Sequence, residues 1–349
     1  MHARTPPAEQ PVAPALQAWL ASRLPGRGPF TMTRLPGGNS NQTYTLADAE
    51  GTLVLRRPPD TAVDSSAHDV LREHRLLVAL EHSDAPSARP IALCTDADVL
   101  GVPFLVMEHI EGHSMTDALP ADSPPQPEAA RQIGLAVVDA LVRLHAVDWR
   151  AAGLEGFGKP DGFLERQVPR WRAQYERVRV RELPRFDEVG DWLERHRPAT
   201  YAPGILHGDF HVDNCLIAFA PEAEVRAIID WEMTTIGDPL LDVGLLLGLW
   251  GDEDPAAPPL SGTQGITKVP GSPTRAELAE RYAAQATRDL DDLHWYVVLA
   301  LWKVAAVIEG AYSNLVAHGD DRSYTRALES DVPALVAQAA AIADRGGIS

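Results

Sequence analysis

Apolar and polar positions change period along this chain. Residues 14–24 place apolar side chains at helical spacing, and three strand-like runs follow at 30–35, 42–46 and 52–57. Turn residues separate them, Pro36-Gly37-Gly38-Asn39 in the first gap and 48–51 in the second. Residues 64–80 return to the helical period, with Val70, Leu71, His74, Leu77 and Val78 recurring behind a capping Asp64 or Ser65. Two more strands are expected at 91–95 and 104–109. Beyond them the pattern is helical. A long stripe of Ile133, Val137, Ala140, Leu141 and Leu144 predicts a helix over 128–147, and further helices are expected at 163–183, 187–196, 274–289, 292–316 and 323–344. Residues 253–273, rich in Pro, Gly and Ser, read as a loop. The order predicts an α+β protein in two lobes. An N-lobe over 1–107 carries an antiparallel sheet and one helix, a hinge lies at 108–112, and a larger, mostly helical C-lobe covers 113–349.

With 349 residues and 45% apolar content, each lobe can bury its own core. The 49 acidic and 31 basic residues leave a formal charge of −18, which argues against nucleic-acid binding and against a basic membrane-surface patch. The longest apolar stretch, 293–315, includes Lys303 and Glu309 and suits a buried bundle helix better than a membrane span. Cys94 and Cys215 are too few for a disulfide framework. Residues 1–14 lack the apolar run of a secretory signal and are expected to fray. A cytoplasmic protein is the expectation.

The chemistry concentrates in His207-Gly208-Asp209-Phe210-His211-Val212-Asp213-Asn214. A carboxylate five residues ahead of an asparagine in one polar loop is the arrangement phosphoryl transfer uses. The Asp takes the proton of the attacking hydroxyl, and the Asn ligates a magnesium ion on the ATP phosphates. A second carboxylate, Asp230, ends the apolar run 225–230, where it would bridge magnesium to the phosphates. On this reading Asp209 is the base, Asn214 and Asp230 are metal ligands, and ATP and Mg2+ are the cofactors. A rival reading takes His207, Asp209, His211 and Asp213 as the alternating face of a strand, which would suit a zinc hydrolase. Gly208 and Asn214 favour a loop, and no further His cluster lies nearby to complete that ligand set.

Three segments, LHGDFHVDN (206–214), IIDWE (228–232) and GDPLLDVG (237–244), resemble in order and spacing the aminoglycoside phosphotransferase and choline kinase superfamily. GGNSNQTY, LVLRRPP, MEHIEG and RQVPRWRAQY are similar to the kinase-like domains that some eukaryotic proteins carry fused to acyl-CoA dehydrogenases, and to their free-standing bacterial relatives. The resemblance implies a bilobal protein-kinase-like fold. It aligns Arg56 with the strand lysine that binds ATP phosphates, and Glu73 with that lysine's helix partner. All three lysines, Lys159, Lys268 and Lys303, lie beyond this lobe, and an arginine fork can clamp the same groups. Gly37, Gly38, Asn39 and Ser40 fit either a phosphate-covering turn or an ordinary hairpin. The backbone around Glu108 and His109 is expected to meet the adenine edge. Asp238 is expected to cap a helix, Asp242 to accept hydrogen bonds from the catalytic-loop backbone, and His207 to brace that loop. The resemblance puts His211 near the acceptor.

Over 165–185 the acidic chain reverses, with seven arginines against three glutamates, a local balance of +4. On a helix Gln167, Trp171 and Tyr175 share one side, flanked by Arg166 and Arg170, which would suit an anionic, partly apolar substrate such as a CoA thioester. The competing reading is a solvated charged helix with Trp171 in the core. The sequence therefore predicts an ATP- and magnesium-dependent kinase of a small-molecule hydroxyl, with a hydroxyacyl-CoA as one acceptor. Aminoglycosides, choline or other small alcohols are alternatives, and a nucleotide-binding sensor module without turnover is the rival of another class.

Overall fold

The computed structural model describes residues 10–35, 41–59, 70–115, 119–120, 123–219, 221–251, 265–319 and 323–347, side chains being described from 326 in the last. The chain divides into two compact units, residues 1–83 with 87–111, and residues 84–86 with 112–349.

The first unit contains β1 (Gln10–Pro11), α1 (Pro14–Arg23), β2 (Thr31–Arg34), β3 (Gln42–Asp48), β4 (Gly51–Arg57), α2 (Val70–Leu80), β5 (Pro90–Cys94), α3 (Ala97–Leu100) and β6 (Phe104–Glu108). Its sheet runs β1-β2-β3-β4-β6-β5, antiparallel throughout. Of the residues expected to fray, Gln10 and Pro11 instead form a short edge strand, with Gln10 opposite Met32 and Pro11 opposite Thr31, and 1–9 lie outside the described residues. Alternation along β4 sends Leu53 and Leu55 into a core shared with Leu16, Leu20, Leu46, Phe104 and Val106. Arg56 falls on the other face, where α2 presents Glu73. The first half of the helix expected at 64–80 lies outside the described residues; the rest is α2.

The second unit contains α4 (Gln126–His145), α5 (Gln167–Val178), α6 (Phe186–Arg195), β7 (Gly204–Leu206), β8 (Cys215–Phe219), β9 (Ala223–Ile228), β10 (Thr235–Gly237), α7 (Leu240–Leu249), α8 (Arg275–Gln285), α9 (Leu293–His318) and α10 (Ser323–Arg345). Helix α9 is its axis, packed against α5, α6, α7 and α10. By length and composition α9 could cross a membrane, yet 72% of its apolar window is buried inside the unit. Helices α7 and α9 cross closely because Gly244 has no side chain; a Cβ there would lie 2.5 Å from the Tyr296 carbonyl. Two small antiparallel ribbons, β7 with β10 and β8 with β9, carry the polar loops. The loop expected at 253–273 lies mostly outside the described residues.

Candidate active site

Residues 207–214 form no strand. They leave β7 as an irregular turn and close in a 3-10 turn at Val212–Asn214, immediately before β8. A shared His/Asp face needs an extended strand, so the zinc reading loses its geometric premise. Among the described residues no three His, Cys, Asp or Glu side chains gather to hold a metal ion.

The turn is gripped through its backbone. Gly208 has φ +85°, and a Cβ there would sit 2.7 Å from the Met233 carbonyl oxygen, so only glycine fits. The buried Asp242 carboxylate accepts the backbone N–H groups of His207 at 2.6 Å and of Gly208 at 2.8 Å. His207, fully buried, donates from Nε2 to the Ile229 carbonyl at 3.0 Å, which leaves Nδ1 to accept the Asp209 N–H at 3.3 Å. That tautomer is neutral, and burial pushes the imidazole below its ordinary value. Asp238 accepts the Leu240 N–H at 3.1 Å at the start of α7 and the hydroxyl of Tyr296. His207, Asp238 and Asp242 thus take the bracing positions expected of them.

Within this frame the Asp209 side chain is 46% exposed, open to solvent on one side. The Asn214 amide nitrogen donates to the Asp209 carbonyl at 2.8 Å and approaches His211 Nε2 at 3.2 Å. With its N–H groups so engaged, Asn214 presents its amide oxygen. Asp230 does not end the strand as expected. Strand β9 stops at Ile228, and Asp230 follows in left-handed backbone, φ 65° and ψ 59°, ahead of a short 3-10 turn. The β8–β9 register still brings the two together in the chain path: Cys215 lies opposite Ile228, and the Ile229 N–H donates to the Asn214 carbonyl at 2.9 Å. Asn214 and Asp230 therefore flank one end of one ribbon. An amide oxygen beside a carboxylate is the hard-oxygen donor chemistry that magnesium takes. His211 lies inside the cluster, with Nε2 3.8 Å from Asp209 Oδ2 and Nδ1 4.0 Å from Asp213 Oδ2.

In the first unit Arg56 Nη1 lies 3.2 Å from Glu73 Oε1, with side chains only 12% and 6% exposed. Glu108 closes β6, its N–H donating to the Arg89 carbonyl, and His109 is exposed beyond it. Gly37, Gly38, Asn39 and Ser40 lie outside the described residues.

The helix expected to recognise substrate needs correction. Gln167, Trp171 and Tyr175 share a face, as predicted, but that face is buried and its polar atoms are used internally. Trp171 Nε1 donates to Gln167 Oε1 at 3.1 Å, Gln167 Nε2 to the Phe163 carbonyl, and the Tyr175 hydroxyl to the Arg181 carbonyl at 2.8 Å. Burying aromatic area against α9 outweighs leaving it open. Arg166 braces the preceding loop by donating to the Asp161 and Lys159 carbonyls. Arg172, Arg179, Arg181 and Arg185 are each within 3.1 Å of a carboxylate, so most of the local positive charge is internally balanced. Arg170 instead lies over the Trp171 ring, 4.7 Å from its centroid.

Two groups escaped sequence reading. His145 of α4 bonds the Tyr282 hydroxyl at 2.8 Å and Asp242 at 3.3 Å, extending the brace. Lys303 of α9, 6% exposed, donates to the Gly208 carbonyl at 2.5 Å, with Nζ 5.3 Å from the Trp171 centroid. The only signal was a titratable residue inside an otherwise apolar helix pattern.

The model of the phosphotransferase enzyme family matches residues 31–296. Mouse acyl-CoA dehydrogenase family member 10 is 35% identical over 290 residues, covering 82% of this chain but only 26% of its own length. The chain thus spans about a quarter of that relative. A solved structure from Ralstonia eutropha JMP134, assigned to the aminoglycoside phosphotransferases, is 28% identical with a TM-score of 0.79, covering 95% of this chain and 98% of its own. An aminoglycoside phosphotransferase APH(4)-Ia solved with AMP-PNP and hygromycin B shares the fold at 14% identity and TM-score 0.59, covering 92% of this chain and 99% of its own. With the family's model covering most of its length and a bilobal kinase-like architecture, the chain belongs to the phosphotransferase enzyme family.

Proposed function

We propose that the protein transfers the γ-phosphoryl group of ATP, in the presence of magnesium, to a hydroxyl of a small molecule. The observation that carries this reading is the Asp209–Asn214–Asp230 arrangement: a half-exposed carboxylate whose own peptide holds the asparagine amide, with a second carboxylate at the same ribbon end. Asp209 orients the acceptor hydroxyl and takes its proton as the bond to phosphorus forms. Asn214 and Asp230 would hold magnesium, which neutralises charge on the ATP phosphates. Arg56, steered by Glu73, binds phosphate oxygens with its planar fork. Glu108 and His109 offer backbone groups to adenine, and His211 lines the acceptor side of Asp209. The AMP-PNP bound by the APH(4)-Ia relative supports nucleotide use.

A hydroxyacyl-CoA is the acceptor we favour over aminoglycosides or choline. The support is the similarity to a protein named as an acyl-CoA dehydrogenase, together with Arg170, a guanidinium set on an aromatic ring and suited to an anionic group. The test is ADP release and a mass gain of one phosphoryl group when purified protein, ATP and magnesium meet a panel of hydroxyacyl-CoAs, aminoglycosides and choline. Transfer to a hydroxyacyl-CoA alone is expected. Asp209→Asn should lower kcat at least about a hundred-fold at unchanged Tm. Full activity in that variant removes Asp209 as the base, and nucleotide binding without transfer to any acceptor would favour a sensor module.

A further inference from the structure

Lys303 of α9 reaches the turn that carries Asp209 and donates to the Gly208 carbonyl. The peptide joining Gly208 to Asp209 is therefore held at both ends: its carbonyl accepts from Lys303, and its N–H donates to His207 Nδ1 at 3.3 Å. Asp242 fixes the preceding peptide. With that plane held, only φ and the side-chain torsions of Asp209 are left to set where its carboxylate points.

A lysine is a costly way to satisfy one carbonyl. Burial of an ammonium among Trp171 and apolar helices disfavours the charge, and Lys303 is held below its ordinary lysine value for that reason. The charged groups facing it are Asp209 on the turn and Asp242 on α7, which favour the cation, and Arg170 on α5, which opposes it. A neutral donor of the same length would satisfy the Gly208 carbonyl without that penalty, so the charge itself is the feature to explain.

We propose that Lys303 is a positioning residue for Asp209: it clamps the 208–209 peptide and, while protonated, brings a positive charge to the turn that carries the carboxylate receiving the acceptor's proton. Its effect is exerted through Asp209 and the peptide it holds, and it rests on the reading of Asp209 as base given above. The two can fail separately.

The experiment compares wild type, Lys303→Met and Lys303→Arg. Methionine keeps the unbranched length and removes donor and charge; arginine keeps both and does not titrate in the working range. For transfer from ATP to the acceptor found in the panel, K303M should lose about a hundred-fold in kcat with KM for ATP within about twofold, the signature of a misplaced group acting in the transition state. K303R should recover part of that loss. The wild-type kcat should fall on the alkaline side as Lys303 deprotonates, and in K303R that fall should move to higher pH. Hydrogen exchange supplies a reading independent of turnover: the Asp209 amide should exchange faster in K303M than in wild type at equal global stability. A K303M kcat within about twofold of wild type overturns the proposal, as does unchanged Asp209 exchange. If K303M does not fold, K303R carries the test, and an unshifted alkaline limb overturns the proposal. If wild type phosphorylates no acceptor, the kinase reading fails, while the exchange comparison still decides whether Lys303 holds the peptide.

Discussion

Asp242 accepts the Gly208 N–H at 2.8 Å across 34 residues of chain, so a buried helix residue sets the shape of a turn it does not belong to. Its other oxygen takes the His207 N–H at 2.6 Å. Asp242→Asn replaces one acceptor with an N–H₂ group that faces a donor. The variant is expected to lose about 2–4 kcal/mol of stability in denaturant unfolding, because a buried N–H is left unmatched, and to lose phosphoryl transfer with it. A wild-type unfolding midpoint in Asp242→Asn contradicts this role.

Gly208→Ala should be as damaging by another route. The positive φ and the 2.7 Å approach to a backbone oxygen leave no rotamer to relieve the strain. Gly265, with nothing within 4 Å of a Cβ, is the control: Gly265→Ala should stay within about 0.5 kcal/mol. Thermal melts of the two variants side by side make the comparison.

Arg56→Lys retains charge and loses the fork. The expected result is a KM for ATP raised about tenfold or more with a smaller change in kcat, since a point charge cannot hold Glu73 and a phosphate in the same geometry. Glu73→Gln should shift KM in the same direction. Steady-state kinetics at saturating acceptor measures both.

Acid should loosen the brace. His145 and His207 are both held below the ordinary 6.5 by burial, so the folded protein binds fewer protons there than the unfolded chain. Their neutral forms contribute fully above about pH 6.5, and that contribution is lost as the pH falls toward the folded-state values. Tm measured from pH 8 to pH 5.5 should decline at the acid end. The decline should be smaller in His145→Gln, which has one titrating brace fewer.

Both thiols are free and buried, Cys94 at 1% and Cys215 at 0% exposure, and burial pushes both up from the ordinary thiol value. Neither should react with iodoacetamide in the native protein at neutral pH, and both should label after unfolding. Mass spectrometry of the alkylated chain reads the result.

Local pattern was enough to place most elements within a few residues, because helix and strand periods depend on neighbours in the chain. The spacing of Asp209 and Asn214 was equally local: one short turn holds both. The Arg56–Glu73 pair followed from the family resemblance, and the fold brings the two side chains to 3.2 Å. Asp230 was found but misplaced by the end of its strand, since its left-handed backbone depends on the packing of the following 3-10 turn. The face of Gln167, Trp171 and Tyr175 was read in the right register and assigned to the wrong surroundings. Periodicity tells which side chains lie together and says nothing of what covers them; α9, more than a hundred residues later, decides that. His145 and Lys303 show the same division. A sequence specifies that these groups can donate, accept or carry charge, while only the packed helices determine that one reaches the Asp242 carboxylate and the other the Gly208 carbonyl.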